Sequence, residues 1–249
     1  MNPGHPNVYQ VRKRFGNLFS SGKFLGKAPN RTCEIIAASF EADFPYILGE
    51  PNQAYLKKEQ DWYYSESLNV NDMPDPPEIW KRVATPEGFI NSNYGYLVFS
   101  PGNGNQYHNV LKELVRDPTS RRAVMIYTRP TMHVDQRRGG MQDFVCTNTV
   151  QYFIRDGQLM AHVCMRSNDA WAGYRNDYHW QHHIHQRLAM DLGIEPGELW
   201  WTVGSLHFYE RQFYLLDYFV ETGKFSCTRD QYDELRSDSP WAWWRKKDG

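Results

Sequence analysis

The 249-residue sequence has no Cys-x-x-Cys pair, no secretion-type apolar leader and no uninterrupted apolar run near the ~18–20 residues needed to span a bilayer. Its four cysteines, Cys33, Cys146, Cys164 and Cys227, are scattered, which argues against a zinc knuckle or a disulfide scaffold and suits free thiols in a reducing cytoplasm. There is no fixed-period repeat and no low-complexity tract. Charge of one sign is also lacking: 28 Lys and Arg face 29 Asp and Glu, a net charge of −1. A duplex-DNA binder normally carries a basic excess, so any anion bound here must meet a local cluster of arginines. Aromatic residues, in contrast, reach 15%, enough for a stiff core or for flat surfaces that stack on rings. A chain of this length buries roughly 70–75% of its unfolded surface and needs neither metal nor disulfide to hold a core.

Periodicity predicts strands at Cys33–Phe40, Ala123–Thr128, Phe144–Ile154, Leu159–Met165 and Leu199–Tyr209. It predicts helices over Ala54–Tyr64, Tyr107–Arg116, Gly173–Leu192 and Glu210–Val220, the last closed by Gly223. Arg155-Asp156-Gly157 is a hairpin turn signal. Loops are expected at Lys27 to Asn30, Asp72 to Glu78 and Pro101 to Asn105. The sum is an α+β fold, a mainly antiparallel mixed sheet packed with helices. It reads as a single catalytic domain over 1–249, with 1–30 and 238–249 peripheral.

Four segments carry potential chemistry. In DPTSRR, a turn delivers the adjacent Arg121 and Arg122, which strand geometry points to opposite faces; they could serve a phosphate at a subunit boundary or be a solvated basic turn. Cys146 lies in an expected strand among Thr147, Asn148 and Thr149; a thiolate near arginines is a nucleophile, whereas a lone cysteine is more often a buried structural one. In MRSNDAWAGYRNDYHWQ, Arg166 and Ser167 make a plausible anion contact, and Asp169, Asn176 and Asp177 are polar groups amid aromatics. In GSLHFYE, His207 and Tyr209 share a strand face, so an imidazole and a phenol can hold one small hydroxyl-bearing group.

The order of these segments resembles the thymidylate synthase superfamily from about Arg31 to Phe219. The likeness takes in Glu59 within KKEQDWYY, Ile79-Trp80, Asn93-Tyr94-Gly95, DPTSRR, Cys146, Arg166-Ser167, Asp169, Gly173 and His207-Phe208-Tyr209. Two departures are informative. Asp177 stands where thymidylate synthases place an asparagine, and Val145-Cys146-Thr147 replaces their Pro-Cys-His. The strings EIIAASF, INSNYG, MIYTRP, DFVCTNTVQY, MRSND and RNDYHWQ look instead like the deoxycytidylate-hydroxymethylating phage branch of the family.

That resemblance implies a thymidylate synthase-like fold whose sheet face serves dimerisation. It also implies a pyrimidine nucleoside monophosphate as substrate and 5,10-methylenetetrahydrofolate as one-carbon cosubstrate, with no metal, no direct nucleic-acid contact and no membrane. Cys146 would be the nucleophile, Glu59 the proton carrier and Asp177 the reader of the base. The phosphate would meet Arg166 and Ser167, Arg121 and Arg122 from the second subunit of a homodimer, and, more weakly, Arg31. His207 and Tyr209 would hold the sugar, and Ile79, Trp80, Asp169 and Gly173 the folate side. Cytoplasm is the expected setting, that of a host if the gene is viral. Reductive methylation of cytidylate or uridylate, a ribose substrate, and a catalytically silent nucleotide or RNA binder stay open. His179, His182, His183 and His185 include a zinc-capable i, i+4 pair but read as helix surface. Trp241, Trp243 and Trp244 read as packing or as a lid.

Overall fold

The computed structural model describes residues 5–242. In chain order the elements are α1 (Val8–Ser20), β1 (Thr32–Glu41), α2 (Gln53–Tyr64), α3 (Glu78–Val83), α4 (Tyr94–Phe99), α5 (Gln106–Arg116) and β2 (Val124–Ile126). After these come α6 (Met132–Asp135), β3 (Thr147–Arg155), β4 (Gln158–Asp169), α7 (Ala172–Leu192), β5 (Glu195–Tyr209), α8 (Phe213–Thr222) and α9 (Arg229–Leu235). The strands form one five-stranded sheet in the order β1-β5-β4-β3-β2. The fold is therefore α+β, and the β2–β3 and β3–β4 pairs are antiparallel. The β3–β4 hairpin closes through Asp156 and Gly157, both with positive φ, directly after the Arg155–Gln158 pair. A two-residue turn of this kind matches the right-handed twist of the flanking strands, and Asp-Gly is its expected sequence. Among the described residues no helix is long and apolar enough to cross a membrane.

The chain folds into two compact units, one comprising 1–51, 167–179 and 201–249, the other 52–166 and 180–200. In the first, α1 packs on β1 and α8. Val8 and Phe15 are fully buried and Phe15 meets Phe208 edge-on. This helix escapes a reading by periodicity because its apolar stripe is broken by Arg12. That guanidinium is itself buried: Nε donates to the Ile47 carbonyl (2.6 Å), Nη2 to that of Tyr46 (2.7 Å), and the group lies 4.0 Å from the Phe225 ring centre. Asn7 starts the helix with a capping box closed by Gln10. Trp241 packs against Phe19, Phe24 and Phe213, which favours packing for that ring; Trp243 and Trp244 lie outside the described residues.

In the second unit, α2 and α4 meet closely. A Cβ on Gly95 would sit 1.7 Å from the Tyr63 carbonyl oxygen, so only glycine permits this approach. Asn93 caps α4 through its Oδ1 and uses Nδ2 to hold the carbonyls of Trp62 (2.9 Å) and Ser67 (2.9 Å) at the end of α2 and just beyond. Tyr63 stacks on Tyr94 with ring centres 5.4 Å apart. Asn93-Tyr94-Gly95 is thus the bracket that fixes α2, and with it Glu59.

Candidate active site

The second unit contains two chemical groups. The first is built on α2. Glu59 is 4% exposed. Tyr55, one turn earlier, donates its hydroxyl to Oε1 at 2.5 Å, and the Trp80 indole N–H reaches Oε1 at 3.3 Å and the Tyr55 hydroxyl at 3.1 Å. Trp62 packs edge-on against Trp80 at 5.4 Å. Burial raises the Glu59 carboxyl to about 7, while the Tyr55 and Trp80 hydrogen bonds pull it back down. A carboxyl so poised is half-protonated near neutral pH, the condition under which one group both gives and takes a proton efficiently.

This burial has a consequence for stability. A carboxyl raised in the folded state contributes most below its ordinary value of 4.5, and that contribution is lost as pH climbs through about 7. Glu59→Gln, which keeps an acceptor for Tyr55 but carries no charge, is expected to match the parent near pH 5 to within about 1 kcal/mol. Near pH 8 it should be more stable by about 3 kcal/mol. Chemical denaturation at the two pH values checks this; equal differences at both would mean that Glu59 is solvated.

The second group surrounds Cys146. The sequence places this residue within a strand, whereas it sits on a bend one residue before β3. Just beyond it the pairing with β4 carries a register shift between Thr147 and Thr149. Arg166, on β4, wraps the approach to the bend. Its Nε donates to the Val145 carbonyl (3.0 Å), its Nη2 to the Phe144 carbonyl (2.6 Å) and to Cys146 Sγ (3.5 Å), and its backbone N–H to the Cys146 carbonyl (2.9 Å). A guanidinium donating to sulfur favours thiolate over thiol. Upstream, Asp143 anchors the same segment, accepting from the backbone N–H groups of Asn91 and Ser92 (both 2.7 Å) and from the Ser92 hydroxyl (2.6 Å). Burial raises the Asp143 carboxyl, against those three bonds and the Arg166 charge. Thr147, fully buried, donates to the Tyr94 hydroxyl at 3.0 Å.

Other residues of this unit fall as follows. Arg121 and Arg122 are both exposed; Arg122 pairs with Glu113 (3.0 Å), and Arg121 makes no ion pair among the described residues. Ile79 is 48% exposed beside Trp80 on α3. His183 meets the Tyr64 hydroxyl at 2.6 Å, and His185 is buried against the Leu159 carbonyl at 2.5 Å. Among the described residues no cluster of three or more His, Cys, Asp or Glu could hold a metal ion.

The first unit holds the other sequence-predicted residues. Asp177, in the second turn of α7, accepts at Oδ2 from the Asn168 side-chain amide at 2.7 Å. Gly173 lies against this pair. Asp169 accepts from the Trp171 N–H at 2.8 Å and faces Arg211 at 3.8 Å. Burial raises its carboxyl, while the Trp171 bond and the charges of His207 and Arg211 oppose the rise. His207 and Tyr209 touch edge-on, ring centres 4.8 Å apart, as their shared strand face requires. The Ser205 hydroxyl donates to Glu34, so toward His207 Nδ1, 3.3 Å away, it accepts, as does the Ser205 carbonyl at 3.4 Å. Two acceptors at Nδ1 place the proton there and leave Nε2 an acceptor when the ring is neutral. Arg31 is held bidentately by Glu210, at 3.0 and 2.8 Å. Ser167 is half-buried at the junction of the two units' sequences.

Sequence reasoning singled out Glu59 and Trp80. It missed Tyr55, whose only signal is i, i+4 spacing from Glu59, and Asp143, Asn168, Glu210 and Arg211, whose partners are distant or unremarkable in sequence.

The sequence profile described as thymidylate synthase matches residues 51–229. The chain is 45% identical over 234 residues to the deoxycytidylate 5-hydroxymethyltransferase of Enterobacteria phage T4, covering 90% of this chain and 95% of that protein. The protein of the same name from Enterobacteria phage T2 is 45% identical over 91% of this chain and 96% of its own length. A thymidylate synthase of Bacillus licheniformis is 28% identical over 71% of this chain and 62% of its own. Among solved structures, thermostable thymidylate synthase A from Bacillus subtilis superposes with a TM-score of 0.64 at 22% identity, over 85% of this chain and 84% of that one, a likeness of fold.

Proposed function

The chain belongs to the thymidylate synthase family, and from that premise we propose that it converts dCMP to 5-hydroxymethyl-dCMP. The observation that carries the reading is the carboxylate of Asp177, set by the Asn168 amide, at the position where resemblance to thymidylate synthases calls for an amide. Cytosine presents an amino donor at N4 where uracil presents an acceptor oxygen, and a carboxylate can only accept. The identity to the two phage enzymes across nine-tenths of the chain supports the same substrate.

C5 of cytosine is a poor nucleophile, and covalent activation is the remedy. The Cys146 thiolate, supported by Arg166, adds to C6 of the base and turns C5 into an enamine carbon. Asp177 accepts from N4 and, with N3 protonated, forms a charge-assisted pair that draws electron density from the ring and eases the addition. Glu59, at about 7, manages the protons and orients the water whose oxygen becomes the new hydroxyl. Expulsion of Cys146 Sγ restores the aromatic ring.

The one-carbon unit is supplied by 5,10-methylenetetrahydrofolate, at the oxidation level of formaldehyde. The residues fit such a ligand: the exposed side chain of Ile79 and the ring of Trp80 offer apolar and aromatic surface on the helix that also touches Glu59. With Asp169 and Gly173, these are the residues that would hold it. Arg166 and Ser167 take the nucleotide phosphate together with Arg121 and Arg122 of a second subunit, a reading supported by the exposure of both arginines; Arg31 is a weaker ligand because Glu210 occupies it. His207 Nε2 and the Tyr209 hydroxyl hold the sugar hydroxyl. The whole chain acts as one catalytic domain in a homodimer, in the cytoplasm where the nucleotide pool lies.

Product mass analysis with dCMP, CMP and dUMP offered together tests the reading. The expected product is dCMP plus CH2O. A gain of CH2 marks reductive methylation, a modified CMP or dUMP marks another substrate, and either result overturns the assignment.

A further inference from the structure

We propose that Asn168 is a positioning residue for base discrimination, holding Asp177 as a fixed, acceptor-only carboxylate; the inference rests on the reading of Asp177 as the group that meets the base. Asn168 is the penultimate residue of β4 and only 2% exposed. Its Nδ2 donates to Asp177 Oδ2 at 2.7 Å, the one hydrogen bond of this side chain among the described residues. The other end of the amide, Oδ1, is buried and has no donor. A buried acceptor without a partner costs folding free energy, whereas an apolar side chain of the same shape at this position would not. The amide is therefore poorly explained by folding alone and well explained by what it does to Asp177.

What it does follows from the donor and acceptor inventory. Asn168 Nδ2 can serve Oδ2 only while that oxygen accepts, so protonation of Asp177 at Oδ2 forfeits the bond. The same bond resists rotation of the carboxylate, because turning it about its last torsion carries Oδ2 off the amide. A carboxylate held in one plane, with Oδ2 engaged by the amide, matches the amino group of cytosine and opposes O4 of uracil. A carboxyl free to take up a proton could donate to O4, and discrimination would fall.

Gly173 supplies independent support. A Cβ there would stand 2.9 Å from Asn168 Nδ2, 3.2 Å from Asp169 Cβ and 3.7 Å from Asp177 Oδ2. Its φ is not in the left-handed region, so glycine is needed at this point for space and not for backbone conformation. The first turn of α7 is stripped of its side chain where the amide crosses to Asp177.

The test is the ratio of dissociation constants for dUMP and dCMP, measured by titration calorimetry on the full chain carrying Asn168→Leu, with Asn168→Ala as a second variant should the first fail to fold. The expected result is a fall of at least tenfold in discrimination, about 1.4 kcal/mol. In an Asp177→Asn background, the same substitution should move the ratio the other way, back toward dCMP, because it frees the amide that Asn168 Nδ2 turns toward uracil. An unchanged ratio in Asn168→Leu, with Asp177→Asn alone shifting it, overturns the role of Asn168 and leaves the base reader in place. An unchanged ratio in Asp177→Asn alone overturns both.

Discussion

Replacing Cys146 by serine is expected to lower kcat by roughly 10⁴-fold or more while leaving dCMP affinity within about threefold of the parent. The split follows from where the sulfur acts. A serine hydroxyl is nearly isosteric, so the bend before β3 survives with its three bonds from Arg166 to main-chain carbonyls, none of which involves the sulfur. An alcohol is not ionised near neutral pH, and Arg166 cannot make it so; without the anion C6 is not attacked and C5 is not activated. Steady-state kinetics beside equilibrium titration with dCMP separates the two quantities. A loss of affinity as large as the loss of rate would mean that Cys146 holds the bend and is not the nucleophile.

Asp177→Asn is expected to move preference from dCMP toward dUMP. An amide in place of the carboxylate both donates and accepts, which restores a match to uracil. Mispairing one buried polar group costs about 1–3 kcal/mol, so the ratio of kcat/KM values should shift by tenfold to a hundredfold. Asn168 Nδ2, which stands 2.7 Å from the Asp177 carboxylate in the parent, will orient the new side chain so that its oxygen points at Asn168 and its N–H₂ points away. The variant should then present a donor toward the base, which favours O4 of uracil further. Parallel assays on the two nucleotides check this, and a preference unmoved by the substitution would place the base reader elsewhere.

Local chemistry made much of this molecule legible in its sequence. The β3–β4 turn is written in Asp156-Gly157, α2 and α5 in helical spacing, and α7 in a long run without proline. The break between Glu210 and Val220 was not: three residues of 3₁₀ helix, Glu210–Gln212, precede α8, where Glu210 turns toward Arg31. What sequence hid was non-local. The stripe of α1 is masked by Arg12, whose burial depends on carbonyls 34 and 35 residues away. Cys146 reads as a strand residue because its neighbours are strand formers; in the fold it sits on a bend beside a register shift with β4, under the grip of Arg166 from 20 residues downstream.

The site shows the same division. Trp62 is legible as a neighbour of Glu59 because i, i+3 on a helix brings them to one side. Asn168 is not, since nothing in MRSND says which of its polar residues turns toward α7. Arg31 illustrates a converse lesson: an arginine in the right motif can be claimed by a carboxylate such as Glu210, on the far side of 179 residues. Gly173 carries the family's motif, and only the space around it reveals a neighbour that needs the room.

Release of tritium from dCMP labelled at C5 tests the central claim most directly, because that hydrogen leaves only if the carbon has been made nucleophilic. With 5,10-methylenetetrahydrofolate present, the parent chain should release label in step with formation of hydroxymethylated nucleotide. A protein that binds dCMP yet liberates no tritium would contradict the account at its root.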